Sequence, residues 1–160
     1  MEADIYLRSI ATDKVQQDVV TATVGTNPHV GEREGAERLN AYYEQLAETG
    51  GYFRDPYNES SMLHAIGMDW SRDVTPLLNE KAELSIEGAR HLLVEIEARP
   101  ISLGMVEDVL RREGFSTHKI PGRAGLDAEG FAKHLNKRRD RLMALLRRSI
   151  ELNEPLECSL

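Results

Sequence analysis

A long amphipathic segment near the C-terminal end places the strongest constraint on what this chain can fold into. From residue 128 to about residue 152, apolar residues recur every three or four positions, which predicts one helix with a continuous apolar face. Asp127 is placed to cap its start, and Pro155 lies beyond its end. The apolar face contains Phe131, Leu135, Leu142, Leu145, Leu146 and Ile150. Because other helices must cover this face, we expect it to lie in the core.

Shorter helical and extended patterns precede this segment. Apolar residues with alternating polar neighbours predict a strand over residues 3–9. Helical spacing predicts a helix over residues 32–48, a short helix capped by Asn58, a helix over residues 86–98 that Ser85 caps, and a helix from Ser102 to Gly114. The last helix contains Val106, Val109 and Leu110, and its apolar face is expected in the core.

The remaining segments complete a single predicted domain over residues 1–160. Residues 115–126 contain Pro and Gly with few apolar residues, so we expect a mobile loop. The tail, residues 151–160, alternates again and is predicted to form a closing strand that pairs with residues 5–8. The fold class is therefore α+β and predominantly helical, with about five to six helices and two or three short strands near the termini.

Composition narrows the class of protein further. Hydrophobic residues are 41% of the 160 residues and charged residues 29%, which is typical of a globular domain. The single cysteine, Cys158, excludes an internal disulfide and a cysteine-rich zinc site. The acidic start of the chain is not a secretory signal, and its apolar runs are too short to span a bilayer. We therefore expect a cytoplasmic protein that does not enter a membrane.

The net charge of −7 is unevenly distributed. Residues 1–127 contain 13 Lys or Arg and 22 Asp or Glu, whereas residues 128–150 contain 7 Lys or Arg and 2 Asp or Glu. A basic helix on an acidic body can bind that body, a neighbouring subunit or nucleic acid. The acidic remainder and the lack of a companion helix in a tight turn argue against nucleic acid. We therefore expect the basic side chains to bind the protein's own body or a neighbouring subunit.

Residues 50–58 combine a turn signal with three aromatic side chains. Two glycines permit an unusual backbone, and the proline restricts the residue before it. Arg54 could hold a phosphate or carboxylate through two parallel hydrogen bonds, while Tyr52 and Tyr57 supply stacking surfaces and Asn58 an amide. This pattern predicts a recognition loop for an anionic or aromatic ligand.

The same segment also has a structural interpretation. Arg54 could pair with its neighbour Asp55, Phe53 could belong to the core, and Asn58 could serve only as a helix cap. Turn chemistry alone accounts for Gly, Pro and Asn in such a segment. Both interpretations stay open at the level of sequence.

Two residues that follow the segment complete the predicted ligand site. His64 lies on a short helix that starts at the segment, so it could face the ligand. Trp70, the only tryptophan, could line the rim, although an indole more commonly packs in the core. Asp69 offers His64 a carboxylate for general-base catalysis, and Asp69 with Asp73 could hold a divalent ion. These are the enzymatic and metal-binding alternatives.

The chain lacks the sequence motifs of common nucleotide-binding and hydrolytic enzymes. It contains no GxGxxG, no P-loop and no GxSxG, and its histidines do not have the spacing of a zinc-binding HExxH helix. We therefore predict no catalytic residue, no metal and no cofactor, and a non-enzymatic protein is favoured.

Two short stretches carry a resemblance to known proteins. Residues 4–7, Asp-Ile-Tyr-Leu, and residues 51–58, Gly-Tyr-Phe-Arg-Asp-Pro-Tyr-Asn, resemble parts of uncharacterised small bacterial and phage proteins. Those proteins begin with a similar Asp-Ile-Tyr strand and carry a Gly-Tyr-x-Arg-acid-x-Tyr segment. The resemblance implies a bacterial or phage setting and brings no activity with it.

The leading hypothesis from the sequence is a non-enzymatic protein that binds a small anionic or aromatic ligand, such as a nucleotide-like molecule, or a protein segment. Its predicted ligand-binding residues are Tyr52, Arg54, Tyr57, Asn58, His64 and Trp70. The alternative is a protein-interaction or homo-oligomerisation module that uses the basic C-terminal helix.

Overall fold

An antiparallel sheet forms one layer of the protein. The computed structural model describes residues 2–10, 41, 44, 46–56, 61–112 and 127–160. Within these residues the sheet has four strands in the order β2-β1-β4-β3. The strands are β1 (Glu2–Tyr6), β2 (Tyr52–Pro56), β3 (Glu83–Leu84) and β4 (Leu156–Ser159). The α+β class is thereby confirmed.

The predicted closing strand is present at the C-terminal end of the chain. β4 pairs with β1 so that Ile5 lies opposite Cys158 and Tyr6 opposite Glu157. The expectation that strands lie only near the termini is wrong, because β2 and β3 lie in the interior of the sequence. Most of the predicted recognition loop is strand β2, since its aromatic residues suit a strand and β1 offers a complete antiparallel partner.

Helices and helical turns form the rest of the described structure. They are α1 (Met62–Ala65), a π-helical turn (Trp70–Val74), a 3₁₀ turn (Thr75–Leu77), α2 (Ile86–Glu97), α3 (Leu103–Arg112) and α4 (Ala128–Leu152). Ser85 and Asp127 cap α2 and α4 by accepting hydrogen bonds from the first turns, as their positions predict. Helix α1 is capped by Ser61, not by Asn58, which lies outside the described residues.

Several predicted segments fall outside the described part of the chain. The loop at residues 115–126 lies there entirely, and so does most of the helix predicted over residues 32–48. Residues 46–48 are helical, and Gly50 follows them with φ of 72°, the left-handed conformation that glycine adopts readily at a helix end.

The core lies between the inner face of the sheet and the helices. Helix α4 packs against α2, α3, α1 and β2. Its predicted apolar face is buried from Phe131 to Leu146, and Ile150 is partly buried against the same core. The sheet contributes a set of buried residues from its inner face, namely Ala3, Ile5, Phe53, Leu156 and Cys158. Burial raises the pKa of the Cys158 thiol to about 12, so this cysteine is a core residue with little thiolate character.

A buried carboxylate joins the sheet to the helical layer. Asp55 is fully buried and accepts hydrogen bonds from the Ser61 hydroxyl (2.6 Å), the Met62 backbone N–H (3.1 Å) and the Trp70 indole N–H (2.9 Å). The guanidinium of Arg138 on α4 lies 3.3 Å from the same carboxylate, and only 13% of that side chain is exposed. A carboxylate can be buried when its lone pairs are occupied in this way and an opposite charge is near.

Removal of the Asp55 carboxylate should destabilise the fold strongly. We expect Asp55→Ala to lower the free energy of unfolding by about 3–5 kcal/mol, because it leaves the Arg138 charge and the Trp70 N–H buried without this partner. Urea denaturation followed by circular dichroism measures the loss. The matched control is Asp108→Ala, which removes an exposed carboxylate on α3 and should change stability by about 0.5 kcal/mol or less. Equal losses in the two variants would contradict the role of Asp55.

Candidate functional site

Strand β2 divides the predicted site residues between two faces of the sheet. Phe53 and Asp55 point to the core, whereas Tyr52 and Arg54 lie on the outer face beside Asp4 of β1, which is the register partner of Arg54. The Tyr52 hydroxyl donates to the Asp4 carboxylate, and Arg54 Nη1 lies 3.4 Å from it. Tyr52 is only 3% exposed. These two side chains therefore hold β1 and β2 together.

The Asp4 carboxylate is electrostatically unusual. Burial raises the pKa of Asp4 above its ordinary value, and the hydrogen bond from Tyr52 opposes this shift. Burial also lowers the pKa of Arg54, and the positive charge of Arg138 lowers it further. The outer-face cluster thus consists of partly desolvated groups that bind one another.

Trp70 packs in the core, where an indole is commonly found. Its exposure is 0%, its ring centroid lies 6.3 Å from that of Phe53, and its indole N–H is bound to Asp55. In this arrangement the indole contacts the core and does not line a rim. Tyr57 and Asn58 lie outside the described residues. The four predicted ligand-binding residues that the structure describes do not share one site: Tyr52 and Arg54 lie on the outer face of β2, Trp70 lies in the core and His64 lines a groove.

His64 is the predicted residue that lies at an open site. It belongs to α1, is about one-third exposed, and places Nε2 2.9 Å from Oδ2 of Asp69. This is the pair that the enzymatic alternative requires. Asp69 caps the π-helical turn, where its Oδ1 accepts the backbone N–H groups of Ser71 (2.9 Å) and Arg72 (3.0 Å). The hydrogen bond from His64, followed by that from Arg72, lowers the pKa of Asp69.

The pair Asp69 and Asp73 does not form a metal centre with a third ligand. Asp73 accepts the backbone N–H of Asp69 (2.7 Å) and binds the Arg72 guanidinium, which lowers the pKa of Asp73. In the described part of the chain, no group of three or more His, Cys, Asp or Glu side chains is placed to hold a metal ion. Both carboxylates instead shape the turn that begins at Trp70.

An open groove of about 690 Å³ lies between the α1 region and α3. We call it the α1–α3 groove. One wall is the chain from His64 to Asp69 with Arg72, and the other is one face of α3. The residues that line it are His64, Ala65, Ile66, Gly67, Met68, Asp69, Arg72, Met105, Asp108, Val109 and Arg112.

Sequence reasoning missed the α3 wall of this groove. Met105, Asp108, Val109 and Arg112 follow the spacing i, i+3, i+4, i+7, so they share one face of α3. Val109 was assigned to the core with Val106 and Leu110, yet it lies on the groove side and is partly exposed. The sequence signal for this wall was Asp108 and Arg112, a charged pair at i, i+4 on the same face as Val109. Such pairs are typical of an exposed helix face.

Four arginines of the basic helix bind groups of their own chain. Arg138 donates to the Arg54 carbonyl (2.6 Å), and Arg139 donates to the Ile96 carbonyl (2.8 Å) at the end of α2. Arg141 and Arg147 form ion pairs with acids of the body, Glu44 and Glu97. The use of this helix to bind another protein or another copy of the chain stays a prediction.

Comparison with models of known families, with curated proteins and with solved structures finds no match for this chain. The resemblance to small bacterial and phage proteins therefore stays a prediction. Its two stretches meet in space, because residues 2–6 pair with residues 52–56 as β1 and β2. No helix within the described residues is sufficiently long and apolar to cross a membrane.

The outer-face cluster of Asp4, Tyr52 and Arg54 predicts how the stability of the fold changes with pH. Because its pKa is raised in the folded state, folded Asp4 binds a proton more tightly than unfolded Asp4, so the cost of its charge is present at neutral pH and is relieved as pH falls. We expect the stability of the native protein, relative to Asp4→Asn, to increase as pH is lowered from 7 towards 4. Urea denaturation at a series of pH values measures this difference.

The variant Tyr52→Phe gives a second test of the same cluster. It removes the hydrogen bond that lowers the Asp4 pKa, so the relative gain in stability should begin at a higher pH than in the native protein. A stability difference between the native protein and Asp4→Asn that does not vary between pH 7 and pH 4 would contradict the assignment.

Proposed function

We propose that the protein is a binding protein, and that its ligand is a nucleotide-sized molecule with an anionic group that occupies the α1–α3 groove. The observation that carries this proposal is the His64 imidazole, which Asp69 orients at 2.9 Å in a groove that Arg72 and Arg112 also line. Of the residues that the sequence predicts to bind ligand, the groove includes His64. His64 lies on α1, which follows the predicted 50–58 segment in the sequence.

The shape and composition of the groove suit a small organic ligand. Its volume of about 690 Å³ lies within the range that is usual for small-molecule sites. Ile66, Met68, Met105 and Val109 supply apolar contacts, and methionine side chains adapt to ligands of different shape. A few polar groups among apolar ones are the usual arrangement by which a site both holds and orients its ligand.

The arginines that line the groove provide hydrogen-bond donors for an anion. Asp69 is bound by His64 and two backbone N–H groups, and the Asp108 carboxylate lies 3.3 Å from Arg111. Within the described part of the chain, Arg72 uses Nε and Nη2 for its bonds to Asp73 and the Gly67 carbonyl, and its Nη1 makes no hydrogen bond. The Arg72 guanidinium therefore keeps Nη1 available for a ligand in the groove.

Strand β2, which contains part of the predicted recognition loop, supports ligand binding indirectly. Tyr52 and Arg54 bind Asp4, and Asp55 fixes the start of α1 and the Trp70 indole. Because α1 and the π-helical turn carry His64 and Asp69, this network sets the position of one groove wall. The described part of the 50–58 segment therefore supports the α1–α3 groove.

Methyl NMR of methionine tests the proposal with internal controls. Met68 and Met105 line the groove, whereas Met62 and Met143 are core residues that do not line it. We expect AMP, sulfate or octanoate to shift the Met68 and Met105 methyl signals at millimolar concentration or below, and to leave Met62 and Met143 nearly unchanged. If none of these anions shifts Met68 or Met105, the proposal is wrong.

A groove-filling substitution separates specific from general binding. Val109→Trp should occupy the groove and weaken binding of the same anions at least tenfold, because the indole takes the space of the ligand. The control is Ala144→Trp, which adds the same side chain to an exposed position on α4 outside the groove and should leave affinity unchanged. Equal affinity in the two variants would place the ligand elsewhere.

A further inference from the structure

We propose that the ligand group recognised at His64 is an oxyanion, a phosphate or a carboxylate, and that it binds together with one proton, which His64 holds between the oxyanion and Asp69. This inference rests on the proposed function, because it concerns the same groove. The recognised group is an oxyanion, and its binding requires a proton on His64.

The carboxylate that faces the His64 imidazole is that of Asp69. The two backbone N–H groups of Ser71 and Arg72 bind Oδ1 of Asp69, so Oδ2 is the oxygen directed at His64. The hydrogen bonds around Asp69 lower its pKa, which keeps this carboxylate ionised at neutral pH. An ionised carboxylate only accepts hydrogen bonds, so Nε2 of His64 must carry a hydrogen and donate it.

A neutral imidazole has one ring nitrogen that donates a hydrogen bond and one that accepts. When Nε2 carries the hydrogen, Nδ1 has a lone pair and can only accept. Within the described part of the chain, Nδ1 of His64 makes no hydrogen bond. A neutral His64 thus presents a lone pair at Nδ1 and repels an oxyanion. It becomes a donor at Nδ1 only after it gains a proton.

Other charged side chains line the groove beside the His64 imidazole. The π-helical turn contributes Asp69 and Arg72, which is bound to Asp73, and α3 contributes Asp108 and Arg112. On α4, which packs against α1, Arg138 binds Asp55 and the Arg54 carbonyl and does not line the groove. An imidazolium between Asp69 and a bound oxyanion has a negative charge on each side, and opposite charges at this range favour the charged form. The oxyanion and the proton therefore stabilise each other in the site.

Titration calorimetry in buffers with different ionisation enthalpies measures the proton directly. Sulfate serves as a phosphate mimic and octanoate as the carboxylate, since neither changes its own charge between pH 6 and pH 8. We expect net uptake approaching one proton per bound anion towards pH 8, and an affinity that falls by up to about tenfold per pH unit there. Tight binding of only one of the two probes would assign the oxyanion to that class.

Two histidine variants identify the proton acceptor. His64→Gln should abolish both proton uptake and the pH dependence, whereas His91→Gln, which changes an exposed histidine of α2 outside the groove, should retain them. Asp69→Asn should reduce proton uptake, because the amide can donate to Nε2 and leave the hydrogen on Nδ1.

The outcomes separate this inference from the proposed function. Sulfate or octanoate that shifts Met68 and Met105 without proton uptake would overturn the inference and leave the groove as the binding site. Proton uptake that persists in His64→Gln would also overturn it. Failure of every probe to bind the groove would overturn the proposed function itself, and the inference with it.

Discussion

The buried Asp55 carboxylate is the interaction on which the arrangement of the described structure depends. It lies on β2, at one edge of the described sheet, and accepts hydrogen bonds from the first turn of α1, from the Trp70 indole and from Ser61, the N-cap of α1. Arg138 of α4 supplies the opposite charge. Apolar packing alone is non-directional, whereas a buried charge is tolerated only when specific donors meet it. This requirement fixes how the sheet, the short helical segments and the long helix are placed relative to one another.

The position of the candidate site follows from that constraint. Because Asp55 holds both the first turn of α1 and Trp70, the intervening residues are fixed at two ends, and His64 and Asp69 lie within them. Met68 N donates to the Leu63 carbonyl (2.9 Å) and Gly67 adopts φ of 76°, so this connection forms a tight turn that faces α3. A rigid support of this kind is what allows a hydrogen bond such as that between His64 and Asp69 to orient a side chain.

The distribution of charge has a similar structural explanation. The basic side chains of α4 reach the carbonyl end of α2, the carbonyl of Arg54 and acids of the body, so the helix with the largest positive charge joins the acidic parts of the chain. Cations at a helix C-terminus are favoured by its dipole, which accounts for the bond from Arg139 to Ile96. The groove, in contrast, contains charges of both signs whose carboxylates are already bound by protein donors.

The sequence by itself determined the elements whose signals are local. Apolar periodicity and the caps Ser85 and Asp127 predicted α2 and α4, and alternation in the tail predicted β4, because these patterns depend on neighbours within one or two turns. Only the tertiary structure decided that the 52–56 segment is a strand, that Tyr52 and Trp70 are buried, and that α3 forms a groove wall with His64. Those features depend on residues distant in sequence: β1 supplies the hydrogen-bond partner of β2, and Asp55 supplies the acceptor that allows the indole N–H to enter the core. The sequence identifies the groups that need a hydrogen-bond or ionic partner, and the tertiary structure determines which partner each group has.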